Sequence, residues 1–88
     1  MRYKIVFAKK AKKELQAIDF VWQVRIVKKL EMLSENYSSL AKSIKKLMGR
    51  EENYRLRVGK YRVIFRKERG LVLILVLRIV HRRDVYRF

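Results

Sequence analysis

The chain has no cysteine, no proline and only three glycines among its 88 residues. Without cysteine it can form no disulfide, no thiolate nucleophile and no thiolate metal site. Acidic residues are also scarce, because eight Asp and Glu stand against 24 Lys and Arg, a formal net charge of +16. A charged surface adapted to heat carries both signs in comparable number. We therefore expect a partner rich in phosphate or carboxylate.

Long hydrophobic runs are lacking as well. The longest covers residues 71–77, about a third of the length that a membrane-spanning helix needs. No apolar run follows the first residues, so the chain shows no secretory signal. We expect a soluble, cytoplasmic protein that has no membrane partner. Half of the residues are hydrophobic, which is enough for a core, and the length fits one domain over residues 1–88.

The first part of the chain predicts one strand and two helices. Residues 2–7 alternate polar and apolar side chains, as a strand does. Residues 8–18 place apolar side chains at helical spacing, and a second helix is predicted from Phe20 to about Ser34 with Asp19 as its N-cap. Because the join is short, the helices should form an antiparallel hairpin.

The second part of the chain predicts a meander of strands. We expect a loop at residues 36–40, leave residues 41–48 unassigned, and expect a turn at residues 49–52. Three strands follow, at residues 53–58, 60–66 and 71–79, the last two joined by a polar loop at 67–70. The predicted fold is α+β, in the order β-α-α-β-β-β. The two-helix hairpin should pack on one face of a small, largely antiparallel sheet.

The hairpin at residues 54–65 is the most informative local feature. Gly59 and Lys60 form a two-residue loop, and glycine in the first position suits a type II′ turn. Alternation then divides the side chains between two faces. The apolar face, which the helices should cover, holds Tyr54, Leu56, Val58, Tyr61, Val63 and Phe65. The open face holds Arg55, Arg57, Arg62 and, further along, Arg66. Arginine opposite arginine is unfavourable across strands, so we expect an anion between them.

The tail, His81-Arg-Arg-Asp-Val-Tyr86, brings the only histidine, two more arginines and a tyrosine to the end of the last strand. The arginine fork matches the oxygens of a phosphate. Histidine titrates near neutral pH, and clustered cations favour the ionised form of tyrosine. This end of the sheet is therefore the predicted site.

The stretch from Lys46 to Phe65, with its Tyr-Arg-x-x-x-Gly-x-Tyr-Arg pattern, and the tail His-Arg-x-x-x-Tyr resemble the RelE/ParE toxin superfamily. The resemblance implies the toxin of a type II toxin–antitoxin pair. In the RelE branch the toxin cleaves messenger RNA on the ribosome without a metal, by attack of a 2′-hydroxyl on the neighbouring phosphate. It implies no cofactor. The implied partners are an acidic antitoxin, messenger RNA and ribosomal RNA.

Carried over by position, the implied site divides into two groups. Arg62, Arg82, Tyr86 and His81 are the expected catalytic residues. The expected phosphate-binding residues are Arg55, Arg57, Arg66 and Arg83. Studied RelE toxins carry lysines on the second strand, one of them a proposed base, whereas this chain has arginines, which do not lose their proton. Proton transfer is then left to Tyr86 and His81, although a lone histidine at a strand end is as often structural.

Two alternatives remain from the sequence. One is a ParE-like toxin of the same fold, which blocks DNA gyrase without catalysis. The other is an RNA-binding module with no toxicity, disfavoured because the open face lacks aromatic rings for bases to stack on. Trp22 is expected in the core or at a partner contact. The lysines at 9, 10, 12 and 13 are expected on a solvated helix face, with ribosomal RNA contact as the alternative.

Overall fold

A computed structural model describes residues 2–47 and 52–87, apart from the side chains of Arg69, Tyr86 and Arg87. The predicted turn at residues 49–52 falls almost entirely outside this range. Within it, the helices and strands are, in chain order, β1 (Lys4–Phe7), α1 (Lys9–Ala17), α2 (Phe20–Glu35), β2 (Ile44–Lys46), β3 (Asn53–Val58), β4 (Tyr61–Glu68) and β5 (Leu73–His81). Short 3-10 stretches occupy Tyr37–Ser43, Arg69–Leu71 and Arg82–Arg87.

The strands form one sheet in the order β1-β5-β4-β3-β2. β1 runs parallel to β5, and the other neighbours are antiparallel. The predicted α+β class and the largely antiparallel sheet are confirmed. The strand that was not predicted is β2, which lies in the unassigned stretch. Three residues are too few for alternation to show, and β2 exists because it pairs with β3.

The helix hairpin covers one face of the sheet, as predicted. Ala11 of α1 and Ile26, Leu30 and Leu33 of α2 are buried in the same core as the sheet residues Leu56, Val63, Phe65, Ile74 and Val76. Tyr54 and Tyr61 pack against this core, and the four lysines of α1 are exposed. Asp19 occupies the predicted N-cap position of α2. Its side chain makes no capping hydrogen bond, and its carbonyl accepts from the N–H of Trp22 and Gln23 instead.

The β3–β4 hairpin has the predicted register, with Arg57 across from Arg62 and Leu56 across from Val63. Gly59 has φ +55°, and Lys60 is not in the positive region, which fits a type II′ turn and excludes type I′. The ring of Trp22 lies against Gly59 where a β-carbon would stand. The turn therefore depends on the backbone freedom of Gly59 and on the packing of Trp22 from α2 against it.

A β-bulge changes the second half of β5. Ile64 pairs with Arg78 whereas Phe65 pairs with Val76, so Leu77 is an extra residue. An extra residue moves every later side chain to the opposite face. Ile79 consequently joins the helix-side core, and Val80 turns to the other face. β3 has the predicted limits, whereas β1 begins later and β4 and β5 lie slightly further along the chain than predicted. The bulge is the main local departure from the sequence pattern.

The face away from the helices is not fully open. Val85 of the C-terminal 3-10 stretch packs on Ile64 and Val80, and all three are buried. Leu47 and Leu77 border this small cluster. The C-terminal stretch therefore covers part of a face that the sequence pattern left bare, and the uncovered part lies over β2, β3 and the start of β4.

The edge of β5 beyond Val76 is closed by α1. β1 pairs only with residues 73–76, which would leave the N–H of Ile79 without a strand partner. Glu14 accepts that N–H at 2.9 Å and also accepts two nitrogens of Arg78 at 2.9–3.1 Å. One carboxylate thus caps the edge and neutralises a half-buried cation.

Within the described ranges no helix is long and apolar enough to cross a membrane.

A basic hollow on the sheet

A hollow of about 200 Å³ opens on the face away from the helices. It is formed where the short strand β2 and the residues before it rise beside β3. The lining residues are Lys42, Ser43, Ile44, Lys45, Arg55, Arg57 and Arg62. Five of the seven are cationic and, of the residues that the structure describes, none in the lining is acidic. Such a hollow attracts an anion and repels a metal ion.

Strand pairing places these cations in two rows across the sheet. Lys45 pairs with Arg55, and Arg57 pairs with Arg62. In each row two positive side chains share the same face with no strand between them. Their mutual repulsion is unfavourable within the folded chain and is relieved when an anion binds between them.

The guanidinium of Arg62 is anchored to the turn. Its Nη1 donates to the carbonyl of Gly59 at 2.7 Å and to the carbonyl of Tyr61 at 2.8 Å. On the adjacent strand, the carbonyl of Arg57 accepts from Nζ of Lys29 on α2 at 3.0 Å. The turn, α2 and the hollow are therefore linked, and the position of Arg62 depends on the turn conformation.

Lys42 and Lys45 were missed by the sequence reasoning. The stretch from residue 41 to 48 shows neither a helical nor a strand pattern long enough to assign faces. The signal that could have found Lys45 is the pairing of β2 with β3, which puts it beside Arg55. Arg55 and Arg57 themselves lie where alternation predicted, as does Arg62.

Arg66 lies away from the hollow. Its Nε donates to the side-chain oxygen of Asn53 at 3.3 Å, and its guanidinium stands 3.9 Å from a carboxylate oxygen of Glu68. It borders a separate depression with Glu52 and Lys67. These acidic neighbours make Arg66 a poorer phosphate ligand than the arginines of the hollow.

His81 lies on the helix side of the sheet, opposite the hollow. The bulge at Leu77 sends it there, where its ring meets the edge of Tyr61 at 5.7 Å between centroids. Its Nδ1 accepts the backbone N–H of Arg83 at 3.2 Å. Partial desolvation lowers the pKa of His81 from 6.5, and Arg83, Lys60 and Arg82 lower it further against the opposing effect of Asp84. The ring of His81 therefore lies on the face opposite the arginines of the hollow, and its catalytic role stays a prediction.

The remaining tail residues follow β5 in the C-terminal 3-10 stretch. Arg82 and Arg83 are exposed and are not part of the described lining of the hollow. Val85 brings the stretch onto the hollow's side of the sheet through Ile64 and Val80. The side chain of Tyr86, the next residue, lies outside the described part, so its catalytic role stays a prediction.

No metal centre is apparent in the described ranges, where no three His, Asp or Glu side chains come together. The chemistry that the hollow can perform is that of its cations. Arginine forks bind phosphate oxygens and stabilise charge that develops on them, whereas a lysine can also exchange a proton. The hollow thus has the parts for binding and charge stabilisation of a phosphodiester.

Comparison with known proteins supports a single family. Residues 5–86 match the family model of the ParE toxin of the type II toxin–antitoxin system parDE. Curated proteins include none that matches the chain.

Solved structures of toxins share the fold. RelE in the RelE–RelB complex of Pyrococcus horikoshii OT3 is 27% identical with a TM-score of 0.80, over 93% of this chain and 97% of that one. The RelB–RelE complex of Methanococcus jannaschii gives 30% identity and a TM-score of 0.74, over 93% and 95%. The isolated E. coli RelE toxin, at 24% identity and a TM-score of 0.76 over 97% and 92%, shows the fold alone. The chain belongs to the ParE toxin family of type II toxin–antitoxin systems, within the RelE/ParE superfamily.

Proposed function

We propose that this toxin is a ribosome-dependent endoribonuclease that cleaves messenger RNA without a metal and so stops translation. The observation that carries the proposal is the hollow, whose described lining has five cationic and no acidic side chains. A phosphodiester is the anion that such a site would bind in a strand of RNA. In the proposed reaction the 2′-hydroxyl attacks the adjacent phosphorus and the 5′-oxygen of the next nucleotide leaves.

The arginines supply binding and charge stabilisation. Arg55 and Arg57, from one strand, would bind the non-bridging oxygens of the phosphate as planar forks. Arg62 is held by the carbonyls of the turn, so its guanidinium needs little reorganisation when negative charge builds up on those oxygens. Removing a donor of this kind typically costs about 10²–10³ in rate.

Proton transfer needs a group that arginine cannot replace. We assign Lys45 to receive the proton from the 2′-hydroxyl, because it stands across from Arg55 in the hollow and a lysine amine, unlike a guanidinium, can exchange a proton. Tyr86 is the candidate to protonate the leaving oxygen, since the C-terminal stretch lies on the same face. His81 faces the other way and receives no step in this scheme.

The proposed partners follow from charge and from the family. Messenger RNA and ribosomal RNA are anionic and complement the net charge of +16. An acidic antitoxin would neutralise the same surface, as RelB accompanies RelE in the P. horikoshii and M. jannaschii complexes. The protein would act in the cytoplasm, where translating ribosomes are.

The test is translation with purified protein, followed by mapping of RNA ends. We expect cuts in messenger RNA only when ribosomes translate it, with a 2′,3′-cyclic phosphate on one fragment. Arg57→Ala should reduce cleavage about 10²-fold or more, whereas Lys12→Ala on the exposed face of α1 should leave it unchanged. Intact messenger RNA together with normal translation would sink the proposal.

The role of Lys45 as the proton acceptor can be tested by comparing substitutions at Lys45 and at its neighbour Lys46. Lys45 and Lys46 are neighbours on β2, but their side chains lie on opposite faces of the sheet. Lys45→Arg keeps the charge and removes the proton transfer, so cleavage should fall about 10²-fold or more while RNA affinity is kept. Lys46→Arg should be neutral. Equal effects at the two positions would exclude Lys45 as the base.

A second candidate is a ParE-like toxin that blocks DNA gyrase without catalysis. The observation that favours it is the family model, which is that of ParE. Inhibition of supercoiling by the purified protein, with messenger RNA intact in the translation assay, would establish this candidate over the nuclease.

A further inference from the structure

Aromatic rings and cations gather where α2 meets the turn between β3 and β4. The ring of Tyr61 lies between the rings of Trp22 and His81. Its centroid is 5.5 Å from that of Trp22 and 5.7 Å from that of His81. We call this group the tip cluster. Its members are the rings of Trp22, Tyr61 and His81 and the cations Arg25, Lys60, Arg82 and Arg83.

The cations lie against the rings. The guanidinium carbon of Arg25 is 4.9 Å from the centroid of the Trp22 ring. Nζ of Lys60 is 5.4 Å from Trp22 and 5.8 Å from Tyr61. The N–H of Arg82 donates to the carbonyl of Lys60 at 2.7 Å, which fixes the tail beside the turn. Arg25 and Arg82 are exposed, so the outer sides of their guanidinium groups are accessible.

Positive charge is in excess in the tip cluster. Four cations are accompanied by two acidic residues close in the chain, Asp19 and Asp84, and the latter stands 3.9 Å from Arg83. The charge raises the electrostatic energy of the folded chain unless an anion approaches. The combination of ring faces and cations favours a ligand that is both flat and anionic.

The tip cluster is separate from the hollow. Tyr61 and Arg62 are successive residues of β4 and therefore point to opposite faces. The two sites share the turn, because Arg62 donates to the carbonyl of Gly59 and Trp22 packs on the same glycine. RNA that lies in the hollow would have to pass around the turn to reach the cluster.

We propose that the tip cluster binds an unpaired nucleotide of RNA, with the base stacked on Arg25 over Trp22 and the phosphate bound by Lys60 and Arg82. Bases stack on arginine planes as well as on aromatic rings, and stacking tolerates every base. An acidic peptide would use the cations and leave the rings without a role. The site does not depend on cleavage in the hollow.

Trp22 is the only tryptophan, so its emission reports on the tip cluster directly. The probe is a 2′-O-methyl oligoadenylate of six nucleotides, which cannot be cut through its 2′-oxygen. We expect saturable quenching of Trp22, with the same midpoint in the anisotropy of a labelled probe. Arg25→Ala and Lys60→Ala should each weaken binding about 5-fold or more. Lys12→Ala, which removes one exposed helix charge elsewhere, should change it less than 2-fold.

The base can come from the strand held in the hollow or from a second RNA. A probe of about 15 nucleotides distinguishes these sources, because one strand that spans both sites binds more tightly by avidity. Arg57→Ala should then weaken binding of the long probe by a larger factor than binding of the short probe. If Arg57→Ala weakens both probes by the same factor, the nucleotide comes from a separate RNA.

Two results would overturn the proposal. The first is binding seen by anisotropy with no quenching of Trp22, or with no effect of Arg25→Ala and Lys60→Ala. The second is a polyglutamate peptide that quenches Trp22 with equal or better affinity, which would identify an acidic protein as the ligand. Cleavage by the wild type in the translation assay is measured separately, so failure here leaves the proposed nuclease intact.

Discussion

The arginines of the hollow lie on one face of the sheet because side chains alternate between the two faces along β3 and β4. Arg55 and Arg57 differ by two positions on β3, and Arg62 follows a two-residue turn, so all three share a face. That much was predictable from the sequence because it needs only local alternation and one glycine. Lys42 and Lys45 were not predictable in the same way, since their places come from a pairing between segments distant in the chain.

Gly59 is irreplaceable for two independent reasons. Its φ of +55° disfavours any side chain, and the Trp22 ring occupies the position of a β-carbon. We expect Gly59→Ala to lower the free energy of unfolding by about 2–4 kcal/mol, measured by urea denaturation.

Gly70 is the matched control for this substitution. A β-carbon there would meet no atom within 4 Å, so Gly70→Ala should change the free energy by less than about 0.5 kcal/mol. Similar losses at both positions would show that Trp22 does not pack on the turn as described.

His81 should titrate below the usual histidine range. Desolvation first, and then the cations Arg83, Lys60 and Arg82, disfavour its protonated form and lower its pKa. Because the chain has one histidine, proton NMR follows it without assignment. We expect a midpoint below 6.5 that rises in Lys60→Gln.

The same shift has a consequence for stability. The unfolded chain has the higher pKa, so between the two values it binds more protons than the folded chain. Stability from this group is complete above pH 6.5 and falls as the pH drops toward the folded pKa. His81→Gln should remove that part of the pH dependence, and a midpoint at or above 6.5 would contradict the prediction.

At the scale of elements, β5 shows how one extra residue redistributes a strand. Because Leu77 is an extra residue, the side chains after it point to the opposite faces from those that strict alternation predicts. Ile79 therefore lies in the core, and His81 lies on the face opposite the hollow. Nothing in the apolar run of residues 71–77 marks the bulge, because every side chain in it suits either face. The bulge is set by pairing with β4 and by the closure of the edge by α1.

Glu14 is the residue through which α1 closes that edge. Its carboxylate accepts from Ile79 and Arg78, with both side chains of the ion pair about three-quarters buried at 22% and 23% exposure. Glu14→Gln removes the negative charge that pairs with Arg78 and should lower the free energy of unfolding by about 1–3 kcal/mol in urea denaturation. Glu14→Ala, which also removes the acceptor for Ile79, should cost about 3–5 kcal/mol.

The exposed pair Arg2–Glu35 serves as the comparison. Its N–O distance is also 2.9 Å, but its side chains are 72% and 59% exposed. Glu35→Gln should therefore cost about 0–1 kcal/mol. If Glu14→Gln cost no more than Glu35→Gln, the carboxylate would not be holding the edge of β5.

At the scale of the whole molecule, the net charge of +16 should make the affinity for RNA depend on the salt concentration. Each phosphate neutralised on a single strand contributes about −0.7 to the slope of log K against log salt. Five cations in the hollow therefore set a slope of about −3.5 if all of them bind phosphate.

Anisotropy of a short labelled RNA between low and high salt measures this slope. Arg57→Ala should make it shallower by about 0.7, and Lys12→Ala should leave it unchanged within error. A slope near zero would mean that the hollow does not bind the RNA backbone.

The sequence by itself determined the fold class, the β3–β4 register, the apolar face that the helices cover and the arginines that face away from them. Each of these depends on periodicity or on a residue with special backbone freedom, and both act over a few neighbours. Only the tertiary structure decided that Lys45 joins Arg55, that His81 leaves the hollow and that Val85 covers part of the open face. These depend on which distant segments pair and on where a strand carries an extra residue, and the energies that settle them come from packing between elements.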